Sequence, residues 1–175
     1  MSETKVILVD ERDTPIGTME KLEAHKKGLL HRGFSIFIFN ARGEMLIQKR
    51  ALGKYHSGGL WSNACCSHPR PEEKLEEAVH RRLEEEMGFD CPLTEKFSFI
   101  YKVDFENGLT EHEFLHVFVG VADVTPSANP KEAEEWKYVD LKKLEKDIGK
   151  HSKKYTYWFR LALSKEMLEW ADANA

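Results

Sequence analysis

A chain of 175 residues can bury roughly two-thirds of its unfolded surface, so one domain spanning 1–175 is expected with no need of disulfide staples. Hydrophobic residues at 41 % and charged residues at 32 % exclude a disordered chain, and no apolar run approaches the roughly 18 residues that span a bilayer, so no membrane is expected as partner. The net charge of −4, with bases interleaved among acids, offers no basic face for nucleic acid.

In chain order, Lys5–Asp10 reads as a short strand and Asp13–Gly17 as a turn. Phe34–Phe39 is predicted as a strand, Asn40–Gly43 as a hairpin turn and Met45–Gln48 as the returning strand. A Gly/Lys/His-rich loop, Ala51–Gly59, leads to an extended stretch at Leu60–Cys66. The spacing of Leu75, Ala78, Val79, Leu83 and Met87 predicts a helix over Glu72–Met87, stopped by Gly88. Strands follow at Phe97–Val103, Glu111–Val121 and Trp136–Val139, then helices at Leu141–Ile148 and Tyr155–Ala173. The last helix is amphipathic through Leu161, Met167, Leu168 and Trp170. Irregular alternation of strands and helices predicts an α/β (α+β) fold, an α-β-α sandwich on a mixed sheet.

Two segments break their own patterns. Steps of about 100° per residue put Arg82 and Glu86 near the centre of the helix's apolar stripe, one turn apart. Buried charge is costly unless it meets a partner, a ligand or a metal, so a buried ion pair and a binding role both remain open. In Glu111-His112-Glu113, alternation sends both carboxylates to one face, roughly 7 Å apart, ahead of the core-facing Leu115, Val117 and Val119. Two carboxylates joined by imidazoles suit a hard-cation site. The N-terminus lacks the charge order and cleavage site of a signal peptide, so a cytoplasmic location is expected, where the three cysteines stay thiols. Adjacent Cys65 and Cys66 would strain a mutual disulfide.

Together these segments resemble the type 1 isopentenyl diphosphate isomerases, a branch of the Nudix fold. The resemblance is carried by His31-Arg32-Gly33-Phe34-Ser35, Gln48-Lys49-Arg50-Ala51 and Trp61-Ser62-Asn63-Ala64-Cys65-Cys66-Ser67-His68-Pro69. Arg81–Gly88, Glu111-His112-Glu113 and Tyr157-Trp158 complete it, from about Val6 to Trp158. The general Nudix box G-x5-E-x7-R-E-U-x-E-E-x-G-U matches from Arg81 to Phe89, with Glu73 at its first glutamate. Ser67 replaces the opening glycine, and Arg82 the glutamate after the arginine. Loss of that carboxylate removes a ligand used in diphosphate hydrolysis, while arginine is suited to a phosphate. Both departures weigh against one alternative, a Nudix hydrolase; the other, a silent diphosphate-binding module, would leave the matching Cys66, Glu113 and Trp158 without a role.

The resemblance implies a small-molecule diphosphate substrate and no obligatory protein partner. It implies Cys66 and Glu113 as the two acid/base groups, with Tyr101 assisting and the indole of Trp158 facing a carbocation. Adjacent strand residues face oppositely, and the Cys-x-His spacing favours Cys66 over Cys65 as the catalytic thiol. His25, His31, His68, Glu111 and Glu113 would hold one divalent ion (Mg²⁺, Mn²⁺ or Zn²⁺), and a second Mg²⁺ would bridge Glu86 and the diphosphate. Lys21, Arg50, Lys54 and Arg82 match the basic positions around that diphosphate.

Overall fold

The computed structural model describes residues 4–163 and Met167. The chain opens with an antiparallel hairpin of β1 (Lys5–Val9) and β2 (Pro15–Glu20). The turn lies earlier than the expected 13–17. The Asp10 carboxylate closes it by accepting from the amides of Arg12 (2.8 Å) and Thr14 (3.0 Å). Pro15 instead begins the edge strand, where its missing N–H costs nothing. Helix α1 (Lys21–Lys27) follows, a segment to which sequence patterning assigned no element. Glu20 caps it by accepting from the amides of Leu22 (3.0 Å) and Glu23 (2.9 Å), and Gly28 ends it in the left-handed region.

The centre of the sheet is β3 (His31–Phe39), covered on both faces and therefore nearly continuously apolar. It runs parallel to β8 (Thr110–Val121), in register from His31 opposite Glu113 to Phe39 opposite Val121. Antiparallel neighbours include β6 (Cys65–Ser67) through Ser35 opposite Cys66, and β4 (Met45–Arg50) at Phe39. Around β4 lie β5 (Trp61–Asn63) and β9 (Ala133–Val139), while β7 (Thr94–Asp104) pairs with β8. The sheet is mixed, as expected.

One face carries Phe34, Ile36, Ile38, Leu46 and Phe118 under Ala78, Val79, Leu83 and Met87 of α2 (Leu75–Met87). The other packs Phe37, Phe39, Leu115, Val117 and Val119 against Leu144 of α3 (Leu141–Lys150) and Phe159 and Ala162 of α4 (Tyr157–Ala162). An α-β-α sandwich results. Helix α2 begins at Leu75 rather than Glu72, because Glu72 sits at φ 67°, incompatible with a right-handed helix. Of the expected final helix, α4 begins at Tyr157 rather than Tyr155, and Met167 is helical and buried; Leu168 and Trp170 lie outside the described residues. Among the described residues no helix is long and apolar enough to cross a membrane.

Candidate active site

The parallel register of β3 and β8 sets His31 beside Glu113, and strand alternation puts Glu111 on the same buried face. Helix α1 brings in His25, and the chain leaving β6 brings in His68. One ligand atom from each of His25, His31, His68 and Glu111 lies within 4.8 Å of all the others. Glu113 adjoins the set. Its Oε1 is 2.5 Å from His68 Nε2 and 3.6 Å from His31 Nε2, and its Oε2 accepts from the Tyr101 hydroxyl at 2.7 Å. Gly33 makes the room: a Cβ there would stand 2.8 Å from Glu113 Oε1.

Backbone carbonyls fix two of the imidazoles. His25 Nδ1 donates to the Lys21 carbonyl (2.6 Å) and His31 Nδ1 to the Leu29 carbonyl (2.8 Å), which turns each Nε2 toward the carboxylates. Both Nε2 atoms are buried with no hydrogen-bond partner. Orphaned buried nitrogens are rare unless something else is to bind them. Burial pushes the His68 pKa down to about 4, which keeps that ring neutral. Burial works to raise the Glu111 pKa, but His25 and His56 outweigh it and hold the carboxyl well below the usual range. A neutral His68 and an anionic Glu111, beside two imidazole nitrogens that have no other partner, form a donor set that suits a divalent ion, so the residues present fit one.

Beside this cluster opens a cavity lined by Lys21, Arg50, Lys54, Arg82, Cys66, Tyr101, Glu113 and Trp158, together with Phe34 and Glu86. Alternation at the Cys65-Cys66 pair separates the thiols. Cys65 is fully buried in the core beneath α2, whereas Cys66 lines the cavity. Cys66 Sγ donates to Asn63 Oδ1 (3.0 Å), accepts from Trp158 Nε1 (3.0 Å) and lies 3.3 Å from Ser35 Oγ. Burial pushes its pKa up to about 11, so it keeps its proton at neutral pH. The Arg50 guanidinium carbon lies 5.1 Å from the centre of the Trp158 ring.

The basic residues differ in how they are engaged. Arg50 is buried, with Nη2 donating to the His56 carbonyl (3.2 Å) and Nε without a partner. Lys21 is drawn down to about 8, first by burial and then by the neighbouring Lys54 charge, and its Nζ lies 4.3 Å from the Tyr55 ring centre. Lys54 pairs with Glu132 at 2.5 Å. Arg82 bonds Glu86 (2.6 Å), Glu85 (2.7 Å) and Ser67 Oγ (3.0 Å). The two positions that depart from the Nudix box, Ser67 and Arg82, therefore touch each other. Glu86 is buried and also within 3.4 Å of Gln48 Nε2. Glu73, at the first glutamate of the box, holds Arg81 through contacts of 2.6 and 2.9 Å.

Two residues of this site were missed in the sequence. Glu132 bridges the cations, 2.5 Å from Lys54 Nζ and 3.4 Å from Arg82 Nη2. His56 is buried with Nε2 2.7 Å from Glu111 Oε2. Both lie in irregular segments with no periodicity to set their direction; the one signal available was the single histidine of the glycine-rich 51–59 loop.

Comparison with known proteins agrees with this geometry. The NUDIX domain family matches residues 29–159. "Isopentenyl-diphosphate Delta-isomerase 2" of Aromatoleum aromaticum is 52 % identical over 163 residues, covering 93 % of this chain and 86 % of its own. "Isopentenyl-diphosphate Delta-isomerase" of Pectobacterium atrosepticum is 49 % identical over 162 residues, covering 93 % and 90 %. A crystal structure of a Deinococcus radiodurans protein superposes with a TM-score of 0.70 at 21 % identity, over 84 % of this chain and 90 % of that one, a likeness of fold alone. The chain belongs to the Nudix family and, within it, to the isopentenyl-diphosphate Delta-isomerases.

Proposed function

We propose that this chain, a single catalytic domain, converts isopentenyl diphosphate to dimethylallyl diphosphate by adding one proton and removing another. The observation that carries this reading is that a protonated thiol, Cys66, and a carboxylate, Glu113, line the same cavity. An unactivated alkene is a weak base, so its terminal carbon must receive a proton from a well-placed acid, leaving a tertiary carbocation. A second group then takes a proton from the neighbouring carbon, and the double bond has moved with no net gain or loss of atoms. Cys66 and Glu113 are these two groups, and the Tyr101 hydroxyl, donating to Glu113 Oε2, steers which carboxylate oxygen faces the substrate. Trp158 steadies the thiol through its Nε1–H and supplies an indole beside the reacting carbons, where a ring quadrupole attracts positive charge without attacking it.

Lys21, Arg50, Lys54 and Arg82 bind the diphosphate, a role supported by their common place on the cavity wall and by the unpartnered Nε of Arg50. His25, His31, His68, Glu111 and Glu113 would hold a divalent ion, Mg²⁺, Mn²⁺ or Zn²⁺, whose charge tunes the acidity of Glu113. Glu86 would hold a second ion, Mg²⁺, that neutralises the diphosphate. Three unpaired thiols support a reducing, cytoplasmic setting.

The test is to incubate isopentenyl diphosphate with metal-loaded protein in D₂O and follow carbon-bound deuterium and ³¹P signals together. Deuterated dimethylallyl diphosphate with its diphosphate intact is the expected product. Released phosphate without double-bond movement would identify a Nudix hydrolase instead.

A further inference from the structure

The β4–β5 loop reaches into the His/Glu cluster through one side chain. His56 Nε2 stands 2.7 Å from Glu111 Oε2, while Glu111 Oε1 faces His25 Nε2 at 3.8 Å. The two oxygens of one buried carboxylate are thus divided between the cluster and the loop. His56 Nε2 and Glu111 Oε2 are close but out of line for a full hydrogen bond, and neither has another partner. The Ser57 hydroxyl lies 3.1 Å from His56 Nδ1. With that hydroxyl as the donor, the ring proton sits on Nε2, facing Glu111. The ring is held from three sides. It stacks on Phe105 (centroids 4.4 Å, 15°) and meets Tyr55 and Trp158 edge-on at 4.4 and 5.5 Å. Its ligating nitrogens are not among the mutually close atoms of His25, His31, His68 and Glu111.

We propose that His56 is a positioning residue of the cation site: its Nε2–H, 2.7 Å from Glu111 Oε2, attracts that oxygen and so aims Glu111 Oε1 at the ion. The proposal rests on reading the His/Glu cluster as a metal site. A ligating carboxylate left free to rotate loses preorganisation, and removal of such an outer partner typically weakens metal binding about 10–100-fold. The same residue joins the metal cluster to the loop that carries Lys54, because the His56 carbonyl also takes a hydrogen bond from Arg50.

The probe is Mn²⁺ alone, titrated calorimetrically into metal-free full-length protein. Four proteins are compared: wild type, His31→Ala, His56→Phe, which keeps a stacking ring but no donor, and His56→Gln, which keeps an N–H. His56→Phe should bind Mn²⁺ about 10–100-fold more weakly, and His56→Gln should recover most of the loss. His56→Phe binding as tightly as wild type, while His31→Ala binds weakly, would overturn the positioning role and leave the metal site standing. Equal loss in the Phe and Gln variants would overturn it too, since packing rather than the N–H would then matter. Undiminished binding by His31→Ala would show instead that the cluster is not the metal site.

Discussion

Strands β3 and β8 carry a histidine–carboxylate cluster on each of their two faces, and the clusters differ in one respect. On one face His116 has both ring nitrogens engaged, Nδ1 with Glu95 at 2.5 Å and Nε2 with Asp13 at 2.9 Å, and Arg32 Nε closes the group onto Asp13 at 2.8 Å. On the other, His31 faces Glu113 and Glu111, and buried nitrogens of His25, His31 and His56 have no hydrogen-bond partner. Both combine imidazole with carboxylate. What separates them is satisfaction: a closed network holds the fold together, whereas a buried network with unpartnered polar atoms costs stability unless a ligand completes it.

That contrast can be broken most strongly at the carboxylates. Glu113→Gln should lower kcat by about 10²–10⁴-fold, the usual worth of a positioned acid or base, while Glu95→Gln should change it by less than about twofold. Similar losses in both variants would erase the distinction. Next in size is Gly33→Ala. Its Cβ would press on the Glu113 carboxyl at 2.8 Å, the movable end of a side chain, so the fold accommodates it and the site does not. Turnover should fall about 10-fold or more with Tm nearly unchanged, since small misplacements of reacting groups are costly. A fall in Tm with unaltered turnover would mean Gly33 serves packing alone.

A third comparison uses the metal itself. Added Mn²⁺ should raise the Tm of wild type and of His116→Ala, and leave His31→Ala where it was, because only ligands of the folded state stabilise it. The smallest effect concerns pH. Lys21 has a pKa lowered to about 8, and a bound diphosphate raises it by charge attraction. Affinity for a saturated alkyl diphosphate should therefore be full below that pH and decline as pH rises from about 8 toward the bound-state pKa. Lys21→Arg should flatten the decline, and an unchanged profile would remove Lys21 from the diphosphate site.

The strands could be read wherever alternation was regular. Glu111 and Glu113 head a row that continues through Leu115, Val117 and Val119, so their inward direction followed from period two, and all five are buried. The opposed directions of Cys65 and Cys66 followed in the same way. Segments without a period stayed hidden. The side chains of β2 are mostly exposed on an edge, so no apolar rhythm marks them, and α1 has only seven residues to show one. His56 meets Glu111 across 55 positions of sequence, and Glu132 meets Lys54 across 78, distances over which local pattern carries no information. The start of α2 was misplaced because a left-handed residue at Glu72 leaves no trace in hydrophobic spacing.

The most direct test of the central claim lies at the adjacent thiols, one in each face of the sheet. Turnover of isopentenyl diphosphate in D₂O should be measured for Cys66→Ala and Cys65→Ala, with metal present and folding checked by thermal melts. Cys66→Ala should lose about 10²–10⁴-fold in kcat and in deuterium incorporation, with Cys65→Ala close to wild type. Equal survival of the two variants would contradict the assignment of Cys66 as a proton carrier.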